Sequence, residues 1–263
     1  MRDLYTALVQ EPQRDFGWEK GRGNAKRLGY DPTWLARLPD CIWESAAAVG
    51  NPFELGPLHP PGETVVDIGC GAGADLCIAA LLVGATGEAI GLDLTPAMVA
   101  KARVNAQRAG LHNVTVHEAN IESLLLPPAS VDVVISTGAI NLSQDKARVF
   151  REIHRILRPG GRFQLADMVR RHSGCEATTK DGSWADCVAG TRPPEQYIEL
   201  LQAAGYRQVE FVGWTGYRTA AHPELANAPR QPAPVRLFGP FAVGESRAFW
   251  TCLRSVREKN SVY

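Results

Sequence analysis

VVDIGCGAGAD (residues 65–75), followed by IGLDL (residues 90–94), decides how this chain folds. An apolar strand runs straight into glycines at 69, 71 and 73, and an acid, Asp93, stands 20 residues after the last of them. That is the wiring of an α/β nucleoside-binding unit: strand, glycine turn, helix, then a second strand ending in an acid. Glycine, lacking Cβ, lets the turn fold tightly and lets backbone amides approach a ligand closely. The acid is placed to accept hydrogen bonds from two ribose hydroxyls.

Outward from this motif the pattern alternates strand and helix. TVVDI (64–68), EAIGLDL (88–94), VTVHEA (114–119), VDVVIS (131–136) and RFQLADM (162–168) read as strands. ADLCIAALL (74–82), PAMVAKARVNAQRAG (96–110) and QDKARVFREIHRIL (144–157) read as helices, the second capped by Thr95-Pro96. The third helix carries Ala147, Phe150, Ile153 and Leu157 on one face, with His154 on the charged, solvated side. Short Val- and Ile-rich strands point to burial on both faces, as in a mostly parallel, doubly wound α/β sheet. Further on, PPEQYIELLQAAG (193–205) reads as a helix, and QVEFVGW (208–214) and AFWTCLRSV (248–256) as strands. Residues 1–60 form an N-terminal helical lid segment, in which Asp31-Pro32 starts a new helix and Trp18 and Trp43 fold toward the ligand. The core spans 61–215, and 216–263 holds a proline-rich loop and the final strand of the same domain. No internal repeat is present.

Composition limits the function classes. With 263 residues and 45% apolar content the chain can build a full core. Lys+Arg and Asp+Glu are both 28, and nucleic-acid binding needs clustered positive charge, so a nucleic-acid substrate is excluded from the leading readings. The N-terminus lacks an apolar core of signal-peptide length, and the longest apolar run (76–84) is far short of a membrane span. A cytoplasmic protein with a small-molecule substrate and no membrane partner is expected. The cysteines at 41, 70, 77, 175, 187 and 252 show no CxxC pair, so no metal site is expected.

Three features identify the nucleoside. The spacing G-x-G-x-G differs from the usual pyrophosphate-binding turn. HEANIE (117–122) places Ile121 to meet the face of an adenine, and Glu122 or a backbone amide its edge. LRPGGRFQLAD (157–167) follows the fourth strand and its helix. In order and spacing, residues 65–168 resemble the class I S-adenosylmethionine-dependent methyltransferases. The resemblance implies a Rossmann-like, seven-stranded sheet and S-adenosyl-L-methionine as cofactor. Asp67, Gly69, Cys70, Gly71, Gly73 and Thr137 would then line the methionine end, Asp93 and Leu94 the ribose, and Asn120, Ile121 and Glu122 the adenine. A nicotinamide enzyme is a remote alternative.

A narrower likeness runs through AKRLGY (25–30), GNP (50–52), GETVVDIGCGAGAD (62–75), INLS-x-DK (140–146) and DCVAG (186–190), which are similar to the arsenite methyltransferases. That family binds trivalent arsenic through cysteine thiolates, soft ligands suited to a soft centre. Here two of its three cysteine positions hold Val49 and Gly138, and only Cys187 remains. The resemblance therefore implies methyl transfer to a small organic acceptor, with Gly138, Trp184 and Cys187 touching substrate. Arsenite methylation by Cys187 with other thiols is the alternative, and a non-catalytic cofactor-binding subunit or sensor the second. Asn141, Asp167 and Cys187, at or just after strand C-termini, are the catalytic candidates. Asn141 would orient the acceptor or cap the following helix, and Asp167 would act as a base or as a buried structural acid.

Overall fold

The computed structural model describes residues 1–59, 62–169, 190–215 and 249–256, the last stretch and 213–215 as backbone. Four short helices come first: α1 (Arg2–Gln10), α2 (Gly21–Arg27), α3 (Pro32–Arg37) and α4 (Asp40–Trp43). Asp31 starts α3 as expected, its carboxylate accepting from the Thr33 amide at 2.7 Å with Pro32 in the first turn. The alternating core then runs β1 (Thr64–Ile68), α5 (Ala74–Val83), β2 (Glu88–Asp93), α6 (Pro96–Arg108), β3 (Val114–Glu118), β4 (Val131–Thr137), α7 (Lys146–Ile156) and β5 (Leu157–Val169). It closes with α8 (Pro194–Ala203), β6 (Gln208–Thr215) and β7 (Phe249–Val256).

The fold is a doubly wound α/β sheet. Strands β3-β2-β1-β4-β5 run parallel, and the sheet continues through β7 and β6, with β7 antiparallel to both neighbours. Side chains alternate across it, as the period of a strand demands. Val65, Val133 and Ile135 enter the layer built by α5, α6 and the N-terminal helices, while Val66, Ile68 and Val134 enter the layer of α7 and α8. Among the described residues no helix is long and apolar enough to cross a membrane.

Three details depart from the sequence reading. Strand β5 begins at Leu157, ahead of the expected 162–168, and passes through Pro159-Gly160-Gly161; its pairing jumps from Val131↔Leu157 to Val133↔Arg162. Thr95 makes no side-chain cap on α6. His154 is partly buried, edge-on to Tyr206 with ring centroids 5.1 Å apart, because Gly205 leaves room beside the imidazole.

Candidate active site

Strand β1 lies between β2 and β4, so the winding reverses there and a crevice opens beyond the carboxyl ends of β1 and β4. The glycine turn crosses its floor. Gly69 and Cys70 donate their amides to the Leu92 carbonyl at 2.8 and 3.0 Å. Asp93 accepts the Gly71 amide at 3.0 Å and the Thr95 amide at 2.8 Å. The same carboxylate that faces the crevice thus also holds the turn in place. Gly69 has φ +72°, and a Cβ there would collide with Ala139, so this position admits only glycine.

Above the turn is a cavity of about 490 Å³. Asp67, Gly69, Cys70, Gly71, Asp93, Leu94, Asn120, Ile121, Glu122, Thr137 and Gly138 all line it. Of the glycines named from the motif, Gly73 does not. It is the left-handed residue preceding α5, and its missing Cβ lets Ala102 of α6 approach, since a built Cβ would lie 3.1 Å from the Ala102 methyl. Gly73 is a packing residue. At the other end the HEANIE loop is braced: Asn120 accepts the Glu122 amide at 2.9 Å and Ser143 donates to the Glu122 carboxylate at 2.6 Å.

Three carboxylates gather beneath the cavity. Burial, then Asp75 and Asp93, pushes the Asp67 carboxyl well above the usual range. Asp67 Oδ2 has no hydrogen-bond partner among the described residues. Asp75 is raised to about 6 by burial, opposed by the Tyr30 hydroxyl at 2.8 Å. It is partly exposed and lines the cavity. Burial also raises Asp93, against the amides that bond it. Crowded carboxyls that burial, and at Asp67 mutual repulsion, push toward their protonated forms favour a cationic ligand, whose charge offsets both effects. The Cys70 thiol, beside them, is pushed up by burial and by Asp67 and Asp93, and stays protonated.

The remaining walls come from residues the sequence reading passed over. Met1 and helix α1, through Arg2, Tyr5 and Leu8, form one side, and the segment after α4 supplies Ala46 to Val49. Trp18 lines the cavity as expected, but Trp43 is 2% exposed in the core and does not. The Tyr5–Leu8–Val9 spacing on α1 was the available signal for a buried face. Val49 faces Gly138: a Cβ at 138 would lie 3.3 and 3.4 Å from the two Val49 methyls. The two positions at which the arsenite methyltransferase resemblance expects thiols are therefore one contact, and it is apolar.

Asn141 and Asp167 lie elsewhere. Asn141 is 0% and Asp167 1% exposed, and neither lines the cavity. The Asn141 side-chain amide donates to Asp167 at 2.9 Å and to the Met168 carbonyl at 2.7 Å, and its oxygen accepts from the Tyr197 hydroxyl. Asp167 also accepts the Asn141 and Met168 amides at 3.0 and 2.8 Å. The helix that follows is capped by Asp145, which accepts the Arg148 amide at 2.9 Å, so Asn141 is no cap either. Both residues belong to a buried clamp joining β5, α8 and the loop after β4. Asn141→Ala removes three buried hydrogen bonds, one of them to a carboxyl, at about 0.5–1.5 kcal/mol each. Its urea unfolding is expected to show a loss of about 3 kcal/mol. Burial raises the Asp167 carboxyl to about 6. Stability from this group is full below its unfolded pKa of about 3.9 and is lost as pH rises through about 6. Urea midpoints compared at pH 4 and pH 7 in wild type and Asp167→Asn check this.

Trp184 and Cys187, with Cys175, lie outside the described residues. Gly190, just after them, packs on the Asn141 carbonyl, where any Cβ would collide. Among the described residues no cluster of His, Cys, Asp and Glu is arranged to hold a metal ion.

Residues 59–205 match a family model described as a methyltransferase domain, and the chain belongs to that family. An arsenite methyltransferase of Halobacterium salinarum is 38% identical over 73% of this chain and 49% of its own length. Another, from Aquipseudomonas alcaligenes, is 34% identical over 69% of this chain and 55% of its own. The chain thus spans about half the length of these curated relatives. The solved arsenic(III) S-adenosylmethionine methyltransferase of Chlamydomonas reinhardtii superposes with a TM-score of 0.60 at 26% identity, covering 89% of this chain and 72% of that one.

Proposed function

We propose that this chain transfers a methyl group from S-adenosyl-L-methionine to a small organic acceptor. The cavity fits that cofactor. Asp93 supplies acceptors for ribose hydroxyls, Ile121 and Glu122 bound the adenine end, and Asp67 and Asp75 face the cationic methionine end. When bound, the cofactor supplies a methyl already activated on a sulfonium centre. The protein's own work is then to align the acceptor at about 3–3.5 Å and exclude water. Helix α1 and Trp18 act as the lid over this space, and the loop after β4, held by the Asn141–Asp167 clamp, brings Gly138 to its inner end.

The observation that carries the organic acceptor is the Val49–Gly138 contact. An aliphatic wall stands where the resemblance expects two thiolates, and among the described residues the thiol at the cavity is Cys70, which burial keeps protonated. A second reading, arsenite methylation through Cys187, draws on the relatives named above. Purified protein with labelled cofactor separates the readings. Release of S-adenosylhomocysteine with thiol, amine or phenol acceptors but not with arsenite and glutathione is the expected result. Methylated arsenic at an enzymatic rate overturns the organic reading, and cofactor binding with no turnover on any acceptor leaves a binding subunit.

A further inference from the structure

Tyr30 belongs to no cofactor motif, yet its hydroxyl reaches the cofactor site. It is 3% exposed in the turn between α2 and α3, packed edge-on against Trp43 and Phe53. The hydroxyl lies 2.8 Å from Asp75 Oδ1 and 3.0 Å from the Gly50 carbonyl oxygen. A phenol has one proton to donate and here meets two acceptors. When Asp75 is protonated its own O–H donates to the Tyr30 oxygen, the Tyr30 proton goes to Gly50, and every group is satisfied. When Asp75 is ionised the carboxylate takes the Tyr30 proton, because charge-assisted bonds are the stronger, and the Gly50 carbonyl loses its donor. Gly50 follows Val49, the residue facing Gly138 at the acceptor end of the cavity. On its other side Asn51 is anchored by donating to the Gly29 carbonyl at 3.1 Å.

Resting on the methyl-transfer reading, we propose that Tyr30 is a positioning residue. Its proton goes to Asp75 when the positively charged α-ammonium of a bound cofactor stands at the site and returns to Gly50 when the site empties. The N-terminal helical segment thereby senses whether the cofactor is bound and relays it to the wall that shapes the acceptor pocket. The groups around Asp75 agree with this. Asp67 on β1 repels its charge, Asp93 on β2 adds to the repulsion on Asp67, and Cys70 and Cys77 near Asp67 are kept neutral by burial. The Tyr30 hydroxyl, bonded to Asp75 at 2.8 Å, favours the carboxylate, and the Thr137 hydroxyl on β4, which makes no hydrogen bond among the described residues, does so more weakly. Asp67 and Asp75 titrate as a pair, with Asp67 pushed well above its usual range and Asp75 raised to about 6.

Calorimetric titrations of S-adenosylmethionine and S-adenosylhomocysteine into the full chain between pH 5 and 8 test this. In wild type the affinity for both ligands, each of which carries the α-ammonium, is expected to rise roughly 10-fold across that range. In Tyr30→Phe the carboxylate loses a donor, so the midpoint of the rise is expected to move up by about one pH unit. In Asp75→Asn the rise is expected to vanish with the fold intact by circular dichroism. A Tyr30→Phe profile that overlays wild type, or a rise that survives in Asp75→Asn, overturns the proposal while leaving methyl transfer standing. Absence of donor binding at every pH overturns both.

Discussion

Replacing Asp93 with alanine is expected to weaken S-adenosylmethionine binding roughly 100- to 1,000-fold, measured by calorimetry at neutral pH. Two losses combine. Hydrogen bonds from ribose hydroxyls to a carboxylate contribute about 1.5–3 kcal/mol each. The same carboxylate also accepts the Gly71 amide at 3.0 Å and the Thr95 amide at 2.8 Å, so its removal frees the turn that forms the cavity floor. Asp93→Asn separates the two losses. Its amide oxygen can still accept one of the backbone amides while the charge is gone, and an intermediate affinity is expected. An unchanged dissociation constant in Asp93→Ala would remove Asp93 from the site.

Installing cysteine at both Val49 and Gly138 is expected to create arsenite binding that the wild-type wall lacks. The Val49 methyls would lie 3.3 and 3.4 Å from a Cβ at 138, so two thiols placed there share one small volume. Thiolate is the soft ligand such a centre takes. A second thiol at millimolar effective concentration strengthens capture about 10²- to 10⁴-fold over one. Gly138 has φ +70°, so a side chain there costs about 1–2 kcal/mol of stability, smaller than the expected binding gain. Arsenic retained per protein after gel filtration, measured for the single and double variants, checks this. A double variant that holds arsenic no more tightly than Val49→Cys alone would show that positions 49 and 138 do not form a common site.

What was legible in the sequence was what depends on local periodicity. TVVDI is β1 to the residue, α5 runs one residue beyond the expected 74–82, and α6 stops two short of 110. The glycine turn and Asp93 were legible because their geometry is set within one strand–turn–helix unit. Asn141 was not. A polar residue in a loop after a strand looks the same whether it faces a ligand or is sealed, and only packing against Tyr197, 56 residues later, makes it 0% exposed. Helix α1 was expected only as part of the 1–60 lid segment: the Tyr5–Leu8–Val9 spacing marks a buried face, but its partner α6 lies far along the chain, so what that face covers was not legible. Gly73 was grouped with its neighbours by spacing, although the space its missing Cβ leaves is taken by Ala102.

By itself the sequence determined the strand–helix alternation, the glycine turn, the acid at 93 and the family these carry, since each follows from short-range period and backbone freedom. Tertiary structure decided which of the motif's neighbours face the ligand. It turned Asn141 and Asp167 away into a buried clamp, brought Tyr30 onto Asp75, and set Val49 against Gly138 across 89 residues of chain. Those outcomes depend on contacts between segments far apart in the sequence, and the dense packing of a doubly wound core leaves each side chain only the space its distant neighbours allow.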